Sequence, residues 1–347
     1  MNDFNHCEKI KVLIIQTASI GDVILATPII EILYKKFPNA IVDVLVKKGN
    51  ETLFEAHPFL NKTLIWDKSQ EKYKNLFHNL YYIRQQKYDI VINVQRFLAT
   101  GILTVFSKAK ITTGFKKNPL SLFFTHRIKH IFGNNTHESD RNLSLISWLV
   151  EEAEAQVKLY PSKKDESFIL NDKSELYITI SPASLWFTKQ FSKEQWIYFI
   201  QNIPVDLMVY FLGGKDDTVL CNDIIEKSNH IKAKNFAGKL TLLQSAALMK
   251  NAQMNFVNDS AAMHLCSAVD AAVTAIFCST VPAFGFGPLS KQSNIVEIHE
   301  KLSCRPCGIH GFHKCPKQHF KCSNDININD LLKTIGIEIP EQNNKIY

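Results

Sequence analysis

Several features that define specialised classes of protein are missing from this chain. No uninterrupted apolar run reaches the roughly 18 residues that a membrane-spanning helix needs. Residues 1–11 include Asp3, Glu8 and Lys9 and have no apolar core of a signal peptide. Low-complexity tracts and short internal repeats are also lacking. These absences predict a cytoplasmic protein without a transmembrane helix.

Glycine is scarce where a dinucleotide-binding protein would need it. The loop after the first predicted strand, residues 16–22, reads QTASIGD and contains Gly21 as its one glycine. The three-glycine fingerprint that brings a backbone close to a pyrophosphate is therefore absent. We do not expect a nicotinamide-binding domain.

No long basic tract is present, although the chain is basic overall. Lys and Arg number 40 against 33 Asp and Glu, which gives a net charge of +7. The basic residues are scattered or paired, as in Lys35-Lys36 and Lys116-Lys117. This surplus favours an anionic partner such as a phospholipid surface, a phosphorylated substrate or nucleic acid.

Strand-like and helix-like segments alternate along the 347 residues, of which 46% are hydrophobic. Alternation of this kind predicts an α/β protein, and the length predicts two domains of doubly wound parallel sheet. The predicted strands are 11–15, 41–46, 63–66, 89–94, 111–115, 176–180, 206–212, 254–257, 272–277 and 295–298. The predicted helices are 23–37, 73–86, 97–106, 140–150, 192–202, 216–227, 242–250, one that follows 258–260, and 328–335.

The polar stretch 151–175 marks the predicted boundary between two domains, 1–165 and 166–347. Ligands of such sheets bind outside the carboxyl ends of the strands. We therefore expect the two Rossmann-like domains to face each other across a cleft.

The octamer Asn258–Leu265 follows a buried strand and opens a helix, with Asp259 or Ser260 as the N-cap. Ser260, Ala261 and Ala262 are small, so the first backbone N–H groups of this helix are open to an anion such as a pyrophosphate. The alternative from these residues alone is an ordinary capped helix.

Four motifs in this order resemble those of glycosyltransferase family 9, the bacterial ADP-heptose:lipopolysaccharide heptosyltransferases. They are Thr17-x3-Gly21-Asp22-x5-Pro28, Lys189 followed by Trp196, Asn258-Asp259-Ser260-x2-Met263-His264-Leu265, and Ser279-Thr280-x-Pro282 with Gly287-Pro288. The tail Cys304-Arg305-Pro306-Cys307, with Cys315 and Cys322, is similar to that of the heptosyltransferase II branch. The resemblance covers the chain from Lys11 to about Leu332.

The resemblance implies a GT-B fold, in which two Rossmann-like, doubly wound parallel-sheet domains face each other. It further implies that the N-terminal domain binds a lipid-linked sugar acceptor and the C-terminal domain binds a nucleotide-sugar. Transfer in the family inverts the anomeric centre and needs no metal.

The resemblance also implies roles for single residues. Asp22 is the expected catalytic base, and the alternative is a helix N-terminal acid favoured by the dipole. Lys189 is expected to contact the phosphates and to stabilise the leaving diphosphate; its alternative is a surface lysine. Ser184, Ser260 and the Ala261 amide are expected to lie at the phosphates. The family usually has Gly at the position of Ala261.

Further donor contacts are implied for four positions. Asp259 is expected to contact the transferred sugar and Leu240 to pack on the base. Asp216 is expected to bind the ribose hydroxyls, with Asp217 as an equal candidate. His264 is expected to shape the donor site, or else to be a hydrogen-bonded helix histidine.

The four tail cysteines Cys304, Cys307, Cys315 and Cys322 have a spacing that suits a tetrahedral zinc or iron site. Because the resemblance carries the cysteines without a known catalytic metal, a structural metal is not favoured. We predict no cofactor and metal-independent transfer.

The sequence as a whole predicts an inverting transferase that moves heptose from ADP-heptose to the lipopolysaccharide core. Its expected partners are a nucleotide-sugar, a lipid-anchored oligosaccharide and the inner-leaflet membrane surface, where the protein is peripheral. One alternative keeps the fold and uses a hexose or N-acetylhexosamine donor. Another is a nucleic-acid-binding zinc ribbon at 304–322, but most basic residues lie elsewhere, and we expect no nucleic-acid partner.

Overall fold

The computed structural model describes residues 9–133, 135–150, 156–167 and 176–338. It divides into two compact units, Met1–Tyr160 and Pro161–Tyr347. The predicted division at 165 falls inside the short helix α6 (Lys163–Ser167), which packs on unit 2 through an ion pair between Glu166 and Lys250. Residues 1–8, and 151–155 and 168–175 of the predicted boundary stretch, lie outside the described residues.

Unit 1 contains one sheet in which every pair of neighbouring strands is parallel. Its strands are β1 (Lys11–Ile15), β2 (Ile41–Lys47), β3 (Lys62–Trp66), β4 (Ile90–Asn93), β5 (Ile111–Phe115) and β6 (His126–Ile128). They lie in the order β3-β2-β1-β4-β5-β6. This order has its switch point between β1 and β4, where a doubly wound sheet opens a crevice at its carboxyl edge.

The described part of unit 1 contains five α-helices, of which the last follows the final strand. They are α1 (Ile20–Ile24), α2 (Thr27–Lys36), α3 (Lys72–Gln86), α4 (Leu98–Val105) and α5 (Glu138–Leu143). Single turns of 3-10 helix lie at Glu51–Phe54, Ser121–Phe123 and Ser144–Ile146.

The prediction of one helix over 23–37 is wrong, because the chain breaks between α1 and α2. Pro28 lies in the first turn of α2 and has no N–H to continue a preceding helix. The Thr27 hydroxyl instead donates to the Ile24 carbonyl at 2.7 Å and closes the turn. The helix predicted over 140–150 is likewise shorter, since it ends as a 3-10 turn.

Unit 2 repeats the sheet of unit 1, again with all neighbouring strands parallel. Its strands are β7 (Tyr177–Ser181), β8 (Met208–Phe211), β9 (Ala233–Asn235), β10 (Met254–Asn258), β11 (Val273–Phe277) and β12 (Ser293–Glu297). The order β12-β11-β10-β7-β8-β9 is the order of unit 1 read from the other edge. The switch point of unit 2 lies between β7 and β10.

Helices connect the parallel strands of unit 2, and two more follow its last strand. They are α7 (Lys193–Gln201), α8 (Thr218–Ser228), α9 (Leu242–Lys250), α10 (Ala261–Ala268), α11 (Lys321–Asn324) and α12 (Ile328–Lys333). In the described ranges, none of the helices is both long and apolar enough to traverse a bilayer.

Each sheet carries its own apolar core, because the central strands are buried along their whole length. Leu13, Ile15 and Val91 belong to the core of unit 1, and Ile178 and Phe256 to that of unit 2. The buried strands fix the carboxyl edge of each sheet, where the polar site residues lie.

Candidate active site

An ion pair lies at the switch point of unit 2. The Lys189 ammonium is 2.7 Å from Asp259 Oδ2, and the two side chains are only 14% and 7% exposed. The Thr280 hydroxyl donates to the same oxygen at 2.6 Å. Lys189, Asp259 and Thr280 follow β7, β10 and β11 in the chain, so the carboxyl ends of three neighbouring strands bring them together. We call these residues the Lys189 cluster.

The N-terminus of α10 directly follows Asp259. Ser260 is the N-cap residue and its backbone is extended, whereas its hydroxyl makes no capping hydrogen bond in the described structure. Ala261 is the first helical residue, and the N–H groups of the first turn point out of the helix. A negatively charged group at this point would accept hydrogen bonds from these N–H groups. The helix dipole and the Lys189 ammonium would also stabilise its charge.

Ala261 replaces the glycine that the resemblance leads one to expect. The residue is helical in this structure, and alanine favours that conformation more than glycine does. The turn into α10 therefore needs no glycine at this position.

Asn258, the last residue of β10, fixes the loop that carries Ser184 and Lys189. Its buried amide accepts from the Phe191 N–H at 2.9 Å and donates to the Pro182 carbonyl at 2.7 Å. Gln190 closes the same loop by donating to the Ser184 carbonyl at 2.7 Å. Ser184 is half-buried. The sequence motif includes Asn258, but its role as the anchor of this loop was not predicted.

A second layer of contacts joins the tail of the chain to the Lys189 cluster. Thr188 is buried and forms two hydrogen bonds with Phe312, one through its backbone N–H and one through its hydroxyl oxygen. The Ser279 hydroxyl donates to the same Thr188 oxygen at 3.0 Å. Gly311 has a φ of +76°, and a Cβ there would lie 2.8 Å from the Thr188 hydroxyl. Glycine is thus required where the tail crosses Thr188.

Arg305 attaches the same tail to the end of β11. Its guanidinium donates to the carbonyls of Phe277, Cys278 and Thr280 at 3.1, 2.6 and 2.8 Å. It also pairs with Glu297 at 2.6 Å. The guanidinium has five N–H donors in one plane, which suits these three carbonyls and the carboxylate. Arg305 is therefore a positioning residue for Thr280, a role that its place in the cysteine motif did not predict.

The four tail cysteines line a single cavity of about 340 Å³, together with apolar residues such as Phe312 and Phe320. Burial raises the pKa of the Cys322 thiol to about 12 and also raises that of Cys307. Across the part of the chain that the structure describes, no three His, Cys, Asp or Glu side chains are grouped so that they could hold a metal ion. The prediction about a metal stays a prediction.

The other predicted donor contacts lie in unit 2 around the same edge. Asp216 and Asp217 occupy the 3-10 turn Lys215–Asp217 after β8. Asp217 accepts from the Gly214 N–H at 2.7 Å, whereas Asp216 is exposed. Leu240 is half-buried just before α9, and His264 is buried in α10.

Asp22 lies in the first turn of α1, after the carboxyl end of β1. Its Oδ2 accepts from the Ser19 N–H at 3.1 Å and from the Ser19 hydroxyl at 2.5 Å. Among the described residues, its Oδ1 has no hydrogen-bond partner. Asp22 is thus a helix N-terminal acid, as the alternative interpretation had it, and yet one oxygen of this half-buried carboxylate is not used by the cap. The two interpretations are compatible.

Two unpredicted contacts organise the turn before Asp22. Gln16 donates to the Asp22 carbonyl at 3.2 Å and accepts a hydrogen bond from Gln95, which lies after β4. The Lys68 ammonium donates to the Thr17 carbonyl and hydroxyl at 2.7 and 2.9 Å. Burial lowers the pKa of Lys68 to about 8. Gln95, which follows β4, and Lys68, which follows β3, therefore hold this turn in place.

The family model of glycosyltransferase family 9 (heptosyltransferase) matches residues 78–309, which span the second half of unit 1 and most of unit 2. The chain belongs to glycosyltransferase family 9. As a member of this family the protein is a glycosyltransferase, and the family predicted from the sequence is confirmed.

Two named relatives are similar to this family 9 protein over most of its length. Lipopolysaccharide heptosyltransferase 3 of Escherichia coli is 26% identical over 278 residues, which cover 75% of this chain and 81% of the relative. Lipopolysaccharide core heptosyltransferase OpsX of Haemophilus influenzae is 24% identical over 310 residues, which cover 85% of this chain and 86% of the relative.

The solved structure of E. coli ADP-heptose lps heptosyltransferase II has the same fold. It superposes with a TM-score of 0.75 at 19% identity, covering 94% of this chain and 97% of that chain. The predicted GT-B type fold of two parallel α/β domains is confirmed.

Proposed function

We propose that this family 9 enzyme transfers heptose from ADP-heptose to the lipopolysaccharide core and inverts the anomeric centre. The reaction couples three changes. The acceptor hydroxyl loses its proton, its oxygen bonds to the anomeric carbon, and the bond from that carbon to the diphosphate oxygen breaks. Two curated relatives named as lipopolysaccharide heptosyltransferases support this donor and this acceptor.

The observation that carries the proposal is the Lys189 cluster beside the N-terminus of α10. Negative charge grows on the diphosphate as its bond to the sugar breaks. A cation and helix N–H groups that are fixed in advance stabilise this charge without reorganising. Lys189, Ser260 and the Ala261 amide are the groups that we assign to the phosphates, with Ser184 beside them.

Asp259 is assigned to the transferred sugar. Lys189 and Thr280 both bind its Oδ2, so the contact with the sugar is assigned to the other carboxylate oxygen. Asp216 is assigned to the ribose hydroxyls. Asp217 is less suited to that role, because its carboxylate is engaged by the Gly214 N–H. Leu240 is assigned to the adenine face and His264 to the wall of the donor site.

Asp22 is assigned as the base, and unit 1 as the acceptor-binding unit. A base must take the hydroxyl proton in the transition state, which typically contributes about 10²–10⁴-fold to the rate. A carboxylate that Ser19 orients through Oδ2, with no partner for Oδ1 among the described residues, supports this role. Unit 2 is correspondingly assigned to the donor.

The mechanism requires no cofactor and no metal, because Asp22 supplies the proton acceptor and Lys189 the cation. Because the acceptor is anchored in a membrane, we infer that the enzyme works in the cytoplasm as a peripheral protein of the inner leaflet. Its net charge of +7 suits this anionic surface. We assign it no nucleic-acid partner.

The deciding experiment is a nucleotide-sugar screen with the purified full-length chain. We expect calorimetric binding of ADP-heptose, and transfer of heptose to a lipopolysaccharide core that lacks it. Preferred binding and turnover of a hexose or N-acetylhexosamine nucleotide would keep the fold and mechanism but contradict the heptose assignment. The screen therefore also tests the alternative donors.

A further inference from the structure

The positive charge of the chain has one origin. Residues 90–137 contain seven Lys and Arg and no Asp or Glu. Since the whole chain has 40 basic and 33 acidic residues, the two kinds are equal in number outside this range. The basic residues of the range are Arg96, Lys108, Lys110, Lys116, Lys117, Arg127 and Lys129. The entire net charge of +7 therefore comes from one segment of unit 1.

Six large apolar side chains of the same segment are exposed to water, and four of them form two pairs of adjacent residues. Phe97 and Leu98 are 64% and 53% exposed at the start of α4. Leu122 and Phe123 are 75% and 69% exposed in the 3-10 turn after β5. A single exposed apolar residue needs no explanation, whereas adjacent pairs in two turns indicate an interaction surface.

Asn118 joins the two turns. Its buried amide donates to the Phe97 carbonyl at 3.0 Å and to the Gln95 carbonyl at 3.2 Å. Its side-chain oxygen accepts from the Leu120 N–H at 3.0 Å. The pair Phe97–Leu98 is therefore held next to the turn that carries Leu122 and Phe123.

Basic residues flank these side chains at the carboxyl edge of the sheet. Lys116 and Lys117 are exposed directly after β5, and the Ser121 hydroxyl donates to the Lys116 carbonyl at 2.9 Å. Lys110 lies at the other end of β5, where it pairs with Asp89 at 2.8 Å. The edge that bears the exposed apolar pairs is thus the edge that bears Lys116 and Lys117.

We propose that Phe97, Leu98, Leu122, Phe123, Lys116 and Lys117 form a docking surface for a bilayer that contains anionic phospholipid. The inference rests on the proposed function, in which the acceptor is anchored in a lipid. Apolar side chains enter the boundary between headgroups and acyl chains, and lysines attract anionic headgroups. A nucleic acid would match the charge but would gain little from aliphatic Leu98 and Leu122.

The place of the docking surface in unit 1 fits this occupant. β1, β4 and β5 are neighbours, so Asp22 and the docking surface lie along the same carboxyl edge. The hydrogen bonds from Gln95 to Gln16 and from Gln16 to the Asp22 carbonyl connect them. A bilayer seated on the docking surface therefore presents its anchored sugars on the side of the sheet where the base lies.

Vesicle co-sedimentation of the full-length chain tests the docking surface directly. We expect binding to phosphatidylethanolamine vesicles that contain phosphatidylglycerol, weaker binding to phosphatidylcholine, and release at high salt. Lys116→Gln with Lys117→Gln should weaken partition by about 30-fold, from the usual effect of two basic residues near a charged surface. Leu122→Ser with Phe123→Ser should weaken it by about tenfold or more.

A matched control lies on α3, where Tyr73 and Phe77 are 69% and 61% exposed in the same unit. Tyr73→Gln with Phe77→Gln should leave vesicle binding within about twofold of wild type, because these positions lie outside the docking surface. Binding lost with the α3 pair and kept with the Leu122 and Phe123 pair would overturn the assignment. Equal binding of wild type to both kinds of vesicle would overturn the charge argument. Thermal melts identify any variant that is unfolded.

Two acceptors separate this inference from the proposed function. The Leu122 and Phe123 variant should lose about tenfold or more of its transfer to an acceptor in vesicles, and keep its transfer to a deacylated, water-soluble acceptor. Wild type that transfers to neither acceptor would contradict the proposed function, and vesicle binding would still decide the docking surface. Equal losses on both acceptors would overturn the docking role.

Discussion

Each unit has an acid in a turn from a strand of its switch point into a helix, after β1 in unit 1 and after β10 in unit 2. The two units hold that acid in different ways. In unit 1, Asp22 receives both of its hydrogen bonds from Ser19, three residues away. In unit 2, Asp259 pairs with Lys189 and accepts a hydrogen bond from Thr280, and these residues follow two other strands, β7 and β11. One carboxylate has local partners and the other has partners from distant parts of the chain.

The difference separates two chemical tasks. A carboxylate with a local partner on one oxygen retains the other for an incoming hydroxyl, as a general base requires. A carboxylate that is paired with an ammonium and a hydroxyl is suited instead to holding that cation in place. We therefore place proton removal at Asp22 and charge stabilisation at the Lys189 cluster, and the following substitutions test that division.

Replacing the acid of unit 1 should have the largest effect. Asp22→Asn keeps the size of the side chain and removes the base, so kcat should fall about 10²–10⁴-fold. Donor affinity, measured by calorimetry, should stay within about twofold, because the donor is assigned to unit 2.

Ser19→Ala is the matched control for Asp22→Asn. It removes the partner of Asp22 at the start of α1 but keeps the carboxylate, and should cost about 1 kcal/mol of unfolding free energy. If both variants lost the same modest share of activity, Asp22 would be a capping acid only.

Removing the cation of unit 2 should have the next largest effect. Lys189→Gln leaves Asp259 buried without its charge partner, which typically costs about 3–5 kcal/mol of stability. Affinity for ADP-heptose should fall about 10–100-fold, because a charged group loses its hydrogen bond to the phosphates.

Lys193→Gln provides the comparison for Lys189→Gln. Lys193 also pairs with an aspartate, Asp223, at 2.7 Å, but those side chains are 34% and 30% exposed. Its loss should leave the urea midpoint of unfolding nearly unchanged, because solvent screens this pair, and should leave donor affinity unchanged. Similar losses from both lysines would contradict a special role for the Lys189 cluster.

The tail contacts that support unit 2 can be disturbed through a glycine. Gly311→Ala brings a Cβ to 2.8 Å from the Thr188 hydroxyl and 3.2 Å from the Ser279 hydroxyl. We expect stability to fall by about 2–3 kcal/mol and kcat/KM to fall about tenfold, as Lys189 is displaced.

Gly308→Ala separates steric contact from backbone strain. Gly308 has a similar φ of +71°, but an added Cβ there meets no atom within 4 Å. This variant should show only the strain, about 1 kcal/mol, with normal kcat/KM. Equal kinetics for the two variants would show that the tail does not position Lys189.

The cap of α10 should give a smaller effect, on binding only. Ser260→Ala removes a hydroxyl that makes no capping bond, so it should cost less than about 0.5 kcal/mol of stability while weakening donor binding several-fold. Thr241→Ala is the contrast, since Thr241 caps α9 by accepting from the Gln244 N–H at 3.1 Å. It should cost about 1 kcal/mol and leave donor affinity unchanged.

Chelation should have the smallest effect of all. With a carboxylate as base and an ammonium at the phosphates, transfer should continue in excess EDTA over short times. Immediate loss of activity that Mg²⁺ or Mn²⁺ restores would contradict the metal-independent mechanism. A slow loss of stability alone would instead indicate a structural metal at the tail cysteines.

The sequence predicted the buried strands and long helices closely. β1, β5 and α9 begin and end where their apolar patterns begin and end. Two short edge strands were missed, β6 and β9, because three partly exposed residues give no periodic pattern. The break before α2 could have been predicted from Pro28, which rarely continues a helix.

The candidate site was predicted residue by residue, but its pairings were not. Motifs indicated Lys189, Asp259 and Asp22 singly, and neither their spacing nor their type predicts that Lys189 and Asp259 form an ion pair. The hydrogen bonds of Arg305 and Asn118 were also missed, because they depend on which loops the sheet order brings together. Such contacts become visible only once the strands are ordered.

The crossing of the tail over Thr188 has a consequence for the synthesis of the protein. Thr188 and Phe312 are 124 positions apart, so the loop that carries Lys189 emerges from the ribosome long before the segment that holds it. Contacts of such long sequence separation form late in folding. Unit 1 can fold during translation, whereas a nascent chain that ends before Cys304 has a sheet in unit 2 but no fixed cation. The proposed donor site is therefore completed only after the segment around Phe312 has left the ribosome.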